Sequence, residues 1–549
     1  MGPDPRRRRG LGDGVEERTA ELIPFLGIDL GTSNSVAATI DATGRPVVLR
    51  NPMGAELVPS VVSFAPGGAV VGDEARQLAA IAPELTVALV KRQMGTGRRF
   101  EFHGVEHTPE SISSLILRAV VDGVAPDRPP TGLPVVVTVP AYFGIREREA
   151  TQQAALLAGL EVLELIGEPV AAALHHGATG PGTLVVYDLG GGTFDATVLR
   201  SDSGGPQIVA VDGDMDLGGA DWDARLHSHL ADRFVELTGA DEALDDAAFM
   251  TGLTATAERT KRALTGTQAH EVVLRHDGRT ARITVTRAEF ESMTRDLTAS
   301  TVDCVRRMLA QTGLAPGDVT GYLLVGGSTR MPMVAEAIEA ELGLRPRRHE
   351  PELAVAKGAA LRAAALTRTG PAWVTPGWGF EAATPGPATS GSESEPARTP
   401  FLSSVVPRSF GLLIHDSADP DGQRRYVQHV IHQNDPLPGD RGITVATVLD
   451  DQATVRIEVF EQAGFVESPE FADNQRVLDG EFTGLPAGLP AGSPLEVRLS
   501  LGLDGRLSLT AREPRSATEL RLEAYVDGVL DSAARGQQAA SLAALTVRQ

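Results

Sequence analysis

Two aspartates stand at the ends of apolar runs, and each leads directly into small, hydroxyl-bearing or glycine residues. The first group is Asp29-Leu30-Gly31-Thr32-Ser33-Asn34, after Leu22–Ile28. The second is Asp188-Leu189-Gly190-Gly191-Gly192-Thr193-Phe194-Asp195, after Leu184–Tyr187. Glycine lets the backbone approach a ligand closely, and amides and hydroxyls supply donors, so each loop can face phosphate oxygens. Taken alone, each reads as a tight turn. Two copies, each led by Asp, can grip the β- and γ-phosphates of a nucleotide from two lobes, with Asp29 and Asp188 holding Mg²⁺ through water. Neither is a single P-loop, because no Gly-Lys-Ser/Thr follows.

Two further groups carry chemistry. Gly326-Gly327-Ser328-Thr329-Arg330 follows the apolar run Tyr322–Val325. Glu258, Lys261, Arg262 and Thr265 fall at i, i+3, i+4 and i+7, on one helix face. Spacing alone leaves that face open to two readings, a solvated charged surface or a ligand-binding stripe. Only Lys91, Lys261 and Lys357 among the 50 basic residues are lysines. Where arginine serves as the generic cation, a surviving lysine points to a place that needs a compact ammonium.

These groups must be positioned by a scaffold, and the composition allows one. Of 549 residues 42% are apolar, with 59 glycines in addition, so a packed core is expected and wholesale disorder is excluded. Seventy-two acidic residues against 50 basic ones give a net charge of −22, which argues against nucleic-acid binding by bulk charge. A single cysteine, Cys304, excludes a disulfide framework and a cysteine-cluster metal site. No apolar run reaches the roughly 18 residues a membrane helix needs. Arg6–Arg9 lack the apolar stretch of an export signal, so residues 1–21 read as a disordered tail and the location as cytoplasmic.

From residue 22 to 366 short apolar runs alternate with helical patterns. Strands are expected at Leu22–Leu30, Val135–Val139, Leu184–Leu189, Ala196–Leu199 and Tyr322–Val325, and helices at Arg146–Ala158, Trp222–Leu237 and Met333–Leu342. That alternation predicts an α/β domain with helices on the sheet faces. Residues 367–402 are rich in Pro, Gly and Ser and read as a linker, with Trp373 and Trp378 as a patch resting on the first domain. Residues 403–530 switch to a period of two, as in Val455, Ile457, Val459 and in Val497, Leu499, Leu501, with a turn at Asp504-Gly505. An antiparallel β-sandwich is expected there, then a short segment 531–549 in which Ala533–Val547 suffices for one short helix.

Together these residues resemble the DnaK-type heat-shock-protein-70 chaperone family, on the actin-like two-lobed ATPase fold. The resemblance rests on Gly27–Ser35, Val139-Pro140-Ala141-Tyr142-Phe143, Glu168-Pro169-Val170-Ala171-Ala172-Ala173, Asp188–Asp195, Leu217–Asp223 and Val325–Pro332, in the family's order over residues 22–366. It implies ATP and Mg²⁺ as ligands, and potassium as a monovalent cation. Gly31, Thr32, Ser33 and Asn34, with Gly191, Gly192 and Thr193, would cradle the phosphates. Asp29 and Asp188 would place Mg²⁺ and water, with Asp195 near the monovalent cation. Lys91 would stabilise the transferred phosphoryl group and Glu168 would orient the attacking water, making Lys91, Glu168, Asp188 and Thr193 the catalytic set. Glu258, Lys261, Arg262 and Thr265 would bind adenosine, with Gly327, Ser328 and Arg330 closing the base pocket. Pro140 and Arg148 match the family's interdomain switch, although Pro140 reads equally as a rigid strand end.

The second half is similar to the family's peptide-binding β-domain through Val405–Gly411, Ile431–Pro438 and Asp451-Gln452. His415, Val445, Val448 and Val455 would line its apolar pocket, or else belong to the ordinary sandwich core. Three departures stand out: residues 367–402 replace the short apolar–acidic linker, no helical lid is expected, and Thr546–Gln549 is not an acidic docking tail. The implied partners are unfolded or apolar peptide segments, a co-chaperone and a nucleotide-exchange factor, with no nucleic acid and no membrane. A different class of function, an ATP-timed interaction module for one dedicated protein partner, fits the altered linker. A filament-forming actin relative is a third reading, opposed by the β-domain motifs.

Overall fold

The computed structural model describes residues 23–367, 405–523 and 546–548, apart from 67, 80, 126–130, 178–180, 203–204, 344, 349, 416–423, 464–466, 503–506 and 517–518. The N-terminal tail, the linker with Trp373 and Trp378, the Asp504-Gly505 turn and most of the segment expected to close the chain as a helix lie outside the described residues.

Two sheets built to one plan organise the α/β part. In the first, strands follow the order Glu161–Gly167, Pro134–Val139, Leu26–Asp29, Asn34–Ile40, Pro46–Val48, with Val58–Pro59 pairing off this path. In the second the order is Gly205–Asp214, Phe194–Asp202, Gly182–Leu189, Gly321–Val325, Arg347–Arg348. Leu26–Asp29 is antiparallel to the strand after it and parallel to Pro134–Val139. Gly182–Leu189 repeats that arrangement, antiparallel to Phe194–Asp202 and parallel to Gly321–Val325. In both sheets, therefore, the hairpin turn that follows an aspartate opens at the same end of a central strand.

The central strands are mostly apolar because both faces are covered. Val135, Val136, Val137 and Val139 are fully buried, as are Val185, Val186 and Tyr187. Phe25, Val136, Ala171, Val186, Val325 and Ala359 share one core that joins the two sheets. The Ala354–Thr367 helix enters this junction at very close range. A Cβ on Gly27 would lie 2.1 Å from Ala360 N, and one on Gly358 would lie 1.7 Å from Ala171 O, so only glycine admits the contact. Asp246 caps the Ala247–Gly266 helix by accepting from the Ala248 and Phe249 amides, satisfying donors that the first turn leaves open.

From Val405 to Glu523 the chain forms two four-stranded antiparallel sheets. One runs Arg425–Ile431, Phe410–His415, Thr454–Gln462, Asn474–Thr483, the other Gly439–Ala446, Pro494–Leu501, Leu507–Arg512, Glu519–Glu523. Leu495, Val497, Leu499 and Leu501 point inward while Glu496 and Arg498 are exposed, the alternation expected of sheets with one wet face. The sandwich rests on the α/β part: Asn434 Oδ1 accepts from the Val211 amide at 2.9 Å, and Gln433 Nε2 donates to Val211 O at 3.3 Å.

One expectation is corrected at the end of the sequence. Thr546 and Val547, assigned to a helix, lie instead in the strand Thr546–Arg548, which pairs in parallel with Gly68–Val71. A β-branched pair gains little from helix, and the edge of that small sheet offers it backbone partners. No helix among the described residues is long and apolar enough to cross a membrane.

Candidate nucleotide site

The two Asp-led loops meet across a cleft of about 600 Å³, its open mouth included, and the apposition is tight. A Cβ on Gly191 would fall 1.9 Å from Ser33 Oγ, and one on Gly192 would fall 2.2 Å from Thr32 Cγ2. Asp29, Gly31, Thr32, Ser33 and Asn34 line one wall, and Asp188, Gly190, Gly191 and Thr193 the other. Gly192 sits just behind, its carbonyl accepting from Arg92 Nε at 2.6 Å.

Lys91 and Glu168 also reach the cleft. A short 3₁₀ turn at Val90–Gln93 carries the lysine, and the first residue of the Glu168–His175 helix supplies the glutamate. Lys91 Nζ donates to Glu168 Oε1 at 2.6 Å, with the side chains 5% and 10% exposed. One ammonium thus faces three carboxylates, buried Asp188 and Glu168 and half-buried Asp29. Burial first, then the charge of Glu168, pushes Asp29 up to about 7, opposed by Lys91 and by the bond from Thr138 Oγ1. Burial, Glu168, Asp195 and Asp29 push Asp188 well above the usual carboxylate range. Asp195 is likewise raised to about 7, chiefly by burial, while the Ala141 amide that it accepts pulls the other way. Such a deficit of positive charge beside donor-rich loops fits a divalent cation bound with an anionic ligand.

The match to known families agrees with this geometry. The family described as Hsp70 protein matches residues 25–107 and 96–372, well over half of the chain. The chain belongs to the Hsp70 family. Members of this family are ATPases that act as ATP-dependent chaperones on an actin-like two-lobed domain with a β-sandwich, and the match here ends before the sandwich begins.

Within this Hsp70 chain two of the residues expected around adenosine, Lys261 and Ser328, lie beside the second loop: a Cβ on Gly219 would fall 3.0 Å from Lys261 Nζ, 2.3 Å from Ser328 Oγ and 3.5 Å from Gly190 O. Glu258, Lys261, Arg262 and Thr265 share the Ala247–Gly266 helix. There Lys261 Nζ donates to Gly219 O and to Asp223 Oδ2, both at 2.7 Å, and Arg262 pairs with Glu258 at 2.5 Å. Thr265 Oγ1 donates to Lys261 O at 3.2 Å. Ser328 Oγ donates to Gly190 O at 2.8 Å, linking the third glycine cluster to the second loop. Arg330 forms an ion pair with Glu352, beside Gly327.

Pro140 and Arg148 both bond the backbone of Phe143. Pro140 O accepts from the Phe143 amide at 3.2 Å, and Arg148 Nε donates to Phe143 O at 3.0 Å. In the sandwich, Val445 and Val455 are half-buried against the core, whereas His415 and Val448 are exposed. Sequence reasoning missed two residues that hold the site. Arg92 bridges the lobes through Gly192 O and through Asp221 Oδ2 at 2.9 Å, and Thr138 holds Asp29 at 3.0 Å. Adjacency to Lys91 was the sole signal for Arg92, and Thr138 carried none.

Proposed function

We propose that this Hsp70-family chain binds Mg-ATP between the Gly31–Asn34 and Gly190–Thr193 loops and hydrolyses it slowly. The observation that carries the reading is the buried Lys91–Glu168 pair opening into the cleft between those loops. Phosphoryl transfer needs positioned charge more than covalent help. Loop amides and the hydroxyls of Thr32, Ser33 and Thr193 bind the phosphate oxygens. Lys91 exchanges Glu168 for the γ-phosphoryl oxygens and offsets their charge as the bond to the leaving group lengthens. Glu168, so released, orients a water and takes up its proton. Asp29 and Asp188 would hold Mg²⁺, which neutralises phosphate charge, and Asp195 is assigned to a potassium ion. Glu258, Lys261, Arg262 and Thr265 are assigned to adenosine, with Gly327, Ser328 and Arg330 closing the base pocket, a reading supported by the contact of Lys261 with Gly219 and of Ser328 with Gly190.

The sandwich is assigned to apolar peptide segments, gripped through backbone hydrogen bonds. Pro140 and Arg148 are assigned the coupling role, since both bond the backbone of Phe143 in the turn whose Ala141 amide donates to Asp195. A second reading has the sandwich bind one dedicated protein partner, with hydrolysis timing the contact. The exposure of His415 and Val448, which were expected to line an apolar pocket or to belong to the sandwich core, favours it. Phosphate release by the purified chain, with and without a short apolar peptide, separates the two. Stimulation supports a general chaperone, with co-chaperone and exchange factor as further partners; hydrolysis indifferent to every peptide supports the dedicated partner. No hydrolysis refutes both.

A further inference from the structure

The strand Gly68–Val71 makes an interaction that neither the cleft nor the sandwich explains. It belongs to a four-stranded sheet ordered Thr546–Arg548, Gly68–Val71, Val62–Ala65, Thr86–Val87. Val62–Ala65 pairs with it antiparallel on one side. On the other side Thr546–Arg548 runs parallel, Thr546 opposite Gly68, Val547 opposite Ala69 and Arg548 opposite Val70. Ala69, Val70 and Val71 are all buried. Without the Thr546–Arg548 strand, this apolar sequence would present a row of unpaired N–H and C=O groups, the kind of edge that recruits an extended segment by strand addition.

We propose that the Gly68–Val71 edge is a strand-acceptor site for extended peptide, separate from the nucleotide cleft and from the sandwich, and that the Thr546–Arg548 segment of the same chain is its exchangeable occupant. Three parallel residues contribute few backbone hydrogen bonds, each modest in net effect, so the strand can leave without unfolding the lobe. Its recognition is by backbone pairing, which asks of the ligand only an extended, β-prone sequence that lacks proline at the bonded position. The site also lies in line with the chemistry. Its sheet continues through Val62 opposite Val87, and the chain then turns directly into Val90–Gln93, which carries Lys91. Occupancy of the edge therefore bears on the segment that aims the ammonium.

Hydrogen exchange on the full chain tests this. Val547→Pro removes a backbone donor from the occupant and should speed exchange in the Gly68–Val71 region by about tenfold, leaving Val135–Val139 protected as a control for the folded lobe. A synthetic peptide of residues 542–549 should restore protection to the Val547→Pro chain, and the same peptide carrying Val547→Pro should not. Unchanged exchange in the variant overturns the site, as does a peptide that fails to restore protection. Protection in the unmodified chain that rises with protein concentration, together with a dimeric mass, overturns the same-chain occupant in favour of a second copy.

Discussion

Arg408 of the sandwich donates from Nη2 to Glu147 Oε1 at 3.0 Å, and its Nη1 lies 3.9 Å from Glu461 Oε2, so one guanidinium spans the two domains. The three side chains are 11%, 9% and 1% exposed. Glu147 sits in the Ile145–Leu157 helix, and Gly144, which precedes that helix, is so close to Glu461 that a Cβ there would meet its carboxylate. The domain contact is therefore ionic and largely dry.

Removing the cation should release that contact. Arg408→Ala removes the cation that Glu147 and Glu461 share across the domains, at a cost of about 3–5 kcal/mol. Small-angle scattering should show a larger radius of gyration, and the melt should split into two transitions. A variant as compact as the unmodified chain would show that Arg408 does not hold the domains together.

Lys91→Ala should slow single-turnover phosphate release by about 10²–10³-fold while nucleotide still binds, the usual effect of deleting one preorganised charge from a transition state. Lys91→Arg should recover little of it, because a broad, planar guanidinium cannot sit where a compact ammonium meets Glu168 at 2.6 Å. Equal rates for all three chains would refute the assigned role.

Gly326 has φ 82°, and a Cβ there would lie 2.3 Å from Leu189 O and 2.5 Å from Asp188 Oδ1. Gly326→Ala should both destabilise the second lobe and displace Asp188, weakening ADP binding in a calorimetric titration by about tenfold or more. Gly97→Ala is the control, with φ 72° but nothing within 4 Å of its Cβ. It should cost about 1 kcal/mol of stability and leave ADP affinity unchanged.

The raised carboxylates predict a pH slope with a definite sign. Asp29 and Asp195 are raised from 3.8 to about 7, so over that window the folded chain binds more protons than the unfolded one. Stability of the nucleotide-free protein should therefore fall as pH rises toward 7 and level off above it. Thermal melts should show the fall, and Asp195→Asn should make it shallower. Parallel profiles for the two chains would exclude Asp195 as a source.

The strands around Val135–Val139 and Leu184–Leu189 and the helix at Met333–Leu342 were legible because period and apolar runs are local properties, confined to a dozen residues. The Asp-led loops were legible for the same reason: Gly31 to Asn34 and Gly190 to Thr193 are contiguous, and two copies announce a shared ligand. The Ala247–Gly266 helix marks the limit. Its face of Glu258, Lys261, Arg262 and Thr265 was readable, but where that face points was not, and here Lys261 is engaged by Asp223.

What the sequence determined by itself is the alternation of elements, the two Asp-led glycine turns and the likeness to one family. Only the tertiary structure decided that Lys91 pairs with Glu168, that Arg92 bridges to Gly192 and Asp221, that Arg408 meets Glu147 across the domains, and that Thr546–Arg548 lies along Gly68–Val71. In each of these the partners are far apart in the chain and carry no shared period. Their meeting depends on how buried surfaces pack and which unpaired charges and strand edges remain to be satisfied, and that is a property of the whole fold.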